Sequence, residues 1–333
     1  MTIDLTRRDV FAAGALAVTG AAAATLDISG LSPISAAVAQ TAAAAIQAPG
    51  FYKFKIGEIT VTAINDGFAM RPLEGFVRNA ELADVQKALA AAFLPTNALP
   101  IPFTTLVLQS GGKLVLLDTG NGDSGAPTSG KWMANFLAAG FDPKAVNTIV
   151  FSHFHGDHIN GFRLKDGTAQ FPNAEVMVPA AEWGFWMDDA RMAAAPDAMK
   201  GAFANVRRVF SPIAKDVKQF ADGSNPVAGV TAIATYGHTP GHTAFRIASG
   251  AASMLFVADL TNHPALFVRN PDWSAVFDMD ADMARASRRK ILDMAAADKS
   301  QISFYHAPFP ATGFITKSGN GFEMVPVQWS PAI

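Results

Sequence analysis

Residues 148–161 read TIVFSHFHGDHING, and four metal-ligating side chains, His153, His155, Asp157 and His158, fall within six residues. Neutral imidazoles and carboxylates are costly to bury without partners, so metal coordination is the economical reason to cluster them. His153 and His155 are two apart, which in extended backbone puts both rings on one side. Asp157 and His158 follow beyond Gly156 and aim at a neighbouring point, an arrangement that suits two ions side by side. The chain has no cysteine, so disulfides, thiolate ligands and cysteine nucleophiles are excluded, and only nitrogen and oxygen can hold a metal.

Side chains of this kind need rigid carriers. The β-branched apolar run at 148–151 reads as a buried strand that stops where the ligands begin. The same device recurs downstream. A strand at 230–234 leads into YGHTPGHT with His238 and His242, a strand at 254–257 delivers Asp259, and one at 302–305 delivers His306. Five of the seven histidines, His153, His155, His158, His242 and His306, stand as candidate ligands at such strand ends, which random scatter would rarely produce. Upstream, 56–64 alternates as a strand and Asn65-Asp66-Gly67 reads as a turn. Residues 104–109 and 113–117 read as a hairpin whose second strand runs into Leu117-Asp118-Thr119-Gly120. Asp118 either caps that turn or orients a metal-bound histidine. The glycine-rich stretch 121–130 reads as a mobile loop. Apolar residues recur at helical spacing over 81–94, 132–139, 180–192, 199–210 and 279–297. Trp183 and Trp186 in the third of these fit a core or a pocket; His238 fits a turn or a hydrogen bond into the site; His263 fits a loop or the pocket wall.

The chain of 333 residues is 50% hydrophobic, ample for a sizeable core, and its formal net charge is −2. No basic run exceeds residues 288–290, which argues against a nucleic-acid partner and for a small, uncharged one. Residues 1–39 differ from the rest: Arg7-Arg8, a weakly apolar run, then Ala37-Val38-Ala39. This resembles a twin-arginine export signal, so a periplasmic or secreted protein without a stable membrane anchor is expected. Residues 40–333 read as a single catalytic domain.

HFHGDH, GHTPGHT, the aspartate after MLFVAD and the late histidine together resemble the metallo-β-lactamase superfamily. Within it, FPNA (171–174), HAPFP and MVPVQWS (324–330) are most similar to methyl parathion hydrolases and their lactonase or arylesterase relatives. The resemblance implies an α+β fold, a four-layer αβ/βα sandwich of two mixed sheets flanked by helices. It assigns His153, His155 and His242 to one metal and Asp157, His158 and His306 to a second, with Asp259 bridging. Asp118 and His238 would support those ligands. The implied cofactor is two divalent ions, zinc foremost, with manganese, cobalt or iron compatible. Ions about 3.5–4 Å apart can share an acidified water as nucleophile, with Asp157 and Asp259 the catalytic carboxylates. Asn262 stands where acyl-homoserine lactonases carry a tyrosine, and 121–129 lacks the bulky apolar residues of organophosphate hydrolases. The expected substrate is therefore a neutral lactone or aryl ester in a pocket lined by Trp183, Trp186, Asn262, His263 and Phe267, with phosphotriesters a promiscuous extra. A homodimer is compatible with this reading. The rival readings are a mononuclear iron dioxygenase or a thiolester hydrolase of the same fold, and a non-enzymatic scaffold.

Overall fold

The computed structural model of the chain describes residues 49–333, so the export-signal segment 1–39 lies outside the described residues. Strands β1 (Phe51–Ile56), β2 (Ile59–Pro72), β3 (Ala98–Ser110), β4 (Lys113–Leu117), β5 (Thr148–Val150), β6 (Glu175–Pro179) and β7 (Lys218–Phe220) form a sheet in chain order. Its first four strands are antiparallel and its last four parallel. A second sheet has the order β13-β12-β11-β10-β9-β8. It comprises β8 (Val230–Ala234), β9 (Thr243–Ser249), β10 (Ala252–Phe256), β11 (Gln301–Ser303), β12 (Thr312–Ser318) and β13 (Gly321–Pro326). Only β10 and β11 pair in parallel in that sheet.

Period-two alternation sorts the strand side chains into layers. Val115 and Leu117 of β4 and Met254 and Phe256 of β10 face the core between the sheets, together with Phe245 and Ile247 of β9. Leu114 and Leu116 face outward, where they meet helices α2 (Trp132–Ala138), α4 (Ala180–Trp186) and α6 (Asp197–Phe210). Leu255 and Val257 face the other way, against Ile291 and Leu292 of α8 (Ala281–Ala297). Helix, sheet, sheet and helix therefore stack as the expected four layers. Each large core side chain removed from water contributes about 1.5–3 kcal/mol. The remaining helices are α1 (Leu82–Ala91), α3 (Gly156–Ile159), α5 (Asp189–Ala194) and α7 (Pro264–Phe267). No helix among the described residues is long and apolar enough to cross a membrane.

Two expectations change. Asn65-Asp66-Gly67 is not a turn between elements: β2 runs through it, with a register shift between Asn65 and Phe68 against β3. Gly67 takes φ 91° there, and a Cβ on it would meet Thr128 O at 2.1 Å, so the bulge is where residues 121–130 come against β2. That loop is anchored as well as glycine-rich. Asp66 accepts hydrogen bonds from Asn121 N (2.7 Å), Asn121 Nδ2 (2.9 Å) and Trp132 N (2.7 Å), tying both ends of the loop to β2. The helix expected over 180–192 breaks into α4 and α5, Asp188 capping the second through Arg191 N at 2.9 Å.

Candidate metal centre

The strand ends converge through backbone bonds, two within the sheets and one, from Thr243 to Ser152, between them. Phe151 N donates to Met177 O (3.0 Å), Thr243 N to Ser152 O (3.0 Å) and Tyr305 N to Ala258 O (3.2 Å). The segment after β5 and the HTPGH turn are thereby fixed against each other.

Each histidine is then aimed by what its Nδ1 contacts. His158 Nδ1 donates to Asp118 Oδ2 at 2.8 Å, and Asp118 also accepts from Ser152 N (2.8 Å) and Oγ (2.7 Å). Because Ser152 Oγ spends its proton on Asp118, it accepts from His153 Nδ1 at 3.0 Å. His242 Nδ1 donates to Thr235 Oγ1 (2.8 Å) and O (3.2 Å), and His306 Nδ1 donates to Pro102 O (2.9 Å). An imidazole that donates from Nδ1 keeps a lone pair on Nε2, the form that binds a metal. Four rings thus turn Nε2 to one place, and His155 faces it through Nδ1, 2.9 Å from His238 Nε2.

Among the described residues, two groups of ligand atoms lie within 4.8 Å of one another: His153, His155, His238 and Asp259, and Asp157, His158, Asp259 and His306. Asp259 belongs to both, as a bridging carboxylate must. The buried atoms His153 Nε2, His158 Nε2 and Asp259 Oδ1 have no hydrogen-bond partner. His158 Nε2 and Asp259 Oδ1 are 3.1 Å apart, yet their orientation makes no hydrogen bond. Native interiors rarely leave such groups orphaned, and a divalent cation bound by nitrogen and oxygen fits all of them at once.

Distance and protonation disagree over which of His238 and His242 completes the first group. His238 is nearer, but its Nδ1 meets Asp278 Oδ1 at 3.0 Å and its Nε2 is 3.3 Å from Asp259 Oδ2. Facing carboxylates on both sides suits a doubly protonated donor. Burial opposes that charge, yet Asp259 and Asp278 outweigh it and raise the pKa to about 9. His242 is held neutral: burial, reinforced by His238, lowers its pKa to about 3. Its Nε2 meets only Asp259 N, at 3.2 Å. A neutral imidazole is the ligating species, so protonation favours His242 where distance favours His238. His155 is likewise lowered to about 3 by burial and His238. For His158 burial is outweighed by Asp259, Asp157 and Asp118, which hold it well above its usual value. The carboxylates around the site call for positive charge that divalent ions would supply.

A cavity of about 500 Å³ opens onto His155, Asp157, Asp259 and His306. Met70, Ile101, Phe103 and Phe277 form its apolar side; Arg71, Ser124, Asn160 and Asn262 its polar side. Another cavity, of about 470 Å³, lies behind residues 121–130 and holds neither ligand group. Of the expected pocket residues only Asn262 lines the site. Trp186 is buried in the layer between sheet and helices, and Trp183 packs edge-on to Phe154 at 6.4 Å. Phe267 lies in the core between the sheets against Phe76 (6.1 Å). His263 caps α7, accepting from Ala265 N at 3.2 Å, and burial, with a smaller contribution from His306, lowers its pKa to about 4. These four are corrections: helical spacing and proximity to Asp259 put them near the site in sequence, but packing turns them away.

Several supports were not singled out from sequence. The Tyr305 ring stacks on His158 at 3.8 Å and its hydroxyl donates to Asp157 O. Buried Arg288 pairs with Asp278 at 3.2 Å, behind His238. Glu182, fully buried on α4, contacts both histidine-bearing loops. An isolated acid in the apolar stretch AAEWGFW was the available signal, since a buried carboxylate needs donors.

A profile of the metallo-β-lactamase superfamily matches residues 101–306. No curated protein matches the sequence. Among solved structures, AidC, a dizinc quorum-quenching lactonase in complex with its product N-hexanoyl-L-homoserine, is 28% identical. The match covers 84% of this chain and 98% of that one, with a TM-score of 0.80. The hydrolase AbOPH of the β-lactamase superfamily is 25% identical over 86% of this chain and 100% of its own, also with a TM-score of 0.80. A protein from Staphylococcus aureus described as a probable metal-dependent hydrolase shares the fold at 19% identity, over 84% of this chain and 100% of its own, with a TM-score of 0.69.

Proposed function

Since the chain belongs to the metallo-β-lactamase superfamily, we propose that it is a dinuclear metallohydrolase of lactones or aryl esters. The observation that carries this reading is Asp259 shared between two converging ligand groups whose buried nitrogens lack other partners. In this assignment His153, His155 and His242 hold one cation, Asp157, His158 and His306 the other, and Asp259 both. When bound, such a pair supplies a water nucleophile at neutral pH and Lewis acidity toward a carbonyl oxygen.

The chain's own residues do the rest. Asp118, Thr235 and the Pro102 carbonyl hold three imidazoles in the ligating tautomer. Asp157, with 23% of its side chain exposed, is more open than Asp259 at 4% and can carry a proton to or from a leaving oxygen at its carboxylate. Met70, Ile101, Phe103 and Phe277 receive an acyl or aryl group, while the Asn262 and Asn160 amides border the reacting end. The 28% identity to a dizinc lactonase supports this choice of substrate class.

The test is turnover of dihydrocoumarin, phenyl acetate, acyl-homoserine lactones and methyl paraoxon by zinc-loaded protein. Hydrolysis of at least one lactone or aryl ester, abolished by chelation, is expected. Inactivity on all four refutes the substrate class, and one iron per chain with oxygen consumption refutes the hydrolase reading.

A further inference from the structure

Glu182 has no exposed surface, and no cation is among its hydrogen-bonding partners. Its Oε1 accepts from Phe154 N (2.9 Å), between His153 and His155, and from Trp186 Nε1 (2.8 Å) one turn along α4. Its Oε2 accepts from Thr239 Oγ1 (2.8 Å) and Gly241 N (2.7 Å), both between His238 and His242. The HTPGH turn lies hard against α4: a Cβ at Gly241 would come within 2.1 Å of Glu182 N. A single carboxylate thus spans the two loops that bear the histidines of one metal.

We propose that Glu182 is a positioning residue that sets the separation of His153 and His155 from His242, and so the affinity of the site those three histidines form. Four donors converge on its two oxygens. A neutral amide of the same shape would keep one acceptor oxygen and point its own donors at donors. The role therefore depends on the carboxylate and not on the volume it fills. Bonds to the ionised form act against burial, which raises the carboxyl pKa.

The proposal rests on the metal reading above, and the experiment separates the two. Zinc affinity is measured by chelator competition for wild type, Glu182→Gln, Thr239→Val and Trp186→Phe. Glu182→Gln is expected to bind zinc about 10–100-fold more weakly. Thr239→Val cuts a bond to a histidine-bearing loop, so it weakens zinc binding and shifts the visible bands of the cobalt-substituted protein. Trp186→Phe removes a donor to the same carboxylate that lies on α4 and hydrogen-bonds neither loop; it keeps affinity within about two-fold and leaves those bands in place. Glu182→Gln binding zinc as wild type does overturns the proposal. If that variant fails to fold, equal behaviour of the other two overturns it. Wild-type protein that holds no zinc overturns the metal reading itself.

Discussion

Asp259 is the residue through which the two halves of the site are joined, since its carboxylate contacts His306 (3.0 Å) and His158 (3.1 Å) and stands 3.9 Å from His153. Burial works against its ionised form, but the flanking imidazoles hold its pKa well below the usual range. Asp259→Ala is expected to lower the affinity of both sites, read as loss of both ions on dialysis; loss of one alone would mean the carboxylate does not bridge. Gln at 242 and at 238 separates ligand from support. His242→Gln should weaken metal binding at least about ten-fold more than His238→Gln, measured by chelator competition. Substrate contacts are tested at Met70, half exposed on β2 beside the cavity, where truncation removes little buried surface. Met70→Ala should raise KM for an aryl ester about ten-fold, the effect of losing roughly 1–3 kcal/mol of apolar contact, while Trp183→Phe leaves KM unchanged.

Helix α8 and the HTPGH turn meet through Arg288, Asp278 and His238. Arg288 donates to Leu260 O (2.9 Å) and Pro271 O (3.0 Å) and pairs with Asp278, so one buried guanidinium ties α8 to the segment after Asp259. Removing one partner strands a buried charge: Asp278→Ala should cost about 3–5 kcal/mol in denaturant unfolding of metal-free protein. For Asp278, burial opposes ionisation, but His238 and Arg288 outweigh it and lower the carboxyl pKa. A depressed folded value means stability present above the unfolded value near 3.9 and lost as pH falls through the folded one. Acid unfolding below about pH 4 should therefore be shallower in Asp278→Asn than in wild type. Most elements were legible in the sequence because alternation and helical spacing report one-sided burial: β8 appears with its expected bounds and α8 nearly so. The bulge at Asn65/Phe68 was not, because a turn and a bulge share the signal Asn-Asp-Gly and only the β3 partner distinguishes them. The break between α4 and α5 was hidden for a similar reason, since apolar residues continue across it at helical spacing through Trp183, Met187, Ala190 and Ala194.

At the scale of the whole molecule, the converging His/Asp groups were legible and the cavity was not. HFHGDH is contiguous and announces itself, whereas Met70, Ile101, Phe103 and Phe277 come together only because the far ends of β2 and β3 and the segment before α8 meet over Asp259. No local periodicity records that meeting. The centre also joins the two sheets, so metal binding should stabilise the fold as a unit: at one hundred times the dissociation constant, about 2.7 kcal/mol. The melting temperature of metal-stripped protein should rise with added zinc and fall again with chelator. The dinuclear hydrolase reading is tested most directly by metal content measured together with hydrolysis on the same purified sample. It predicts two divalent ions per chain and lactone or aryl ester turnover that disappears on chelation and returns with zinc. A single tightly held iron, or full hydrolysis by metal-free protein, would contradict it.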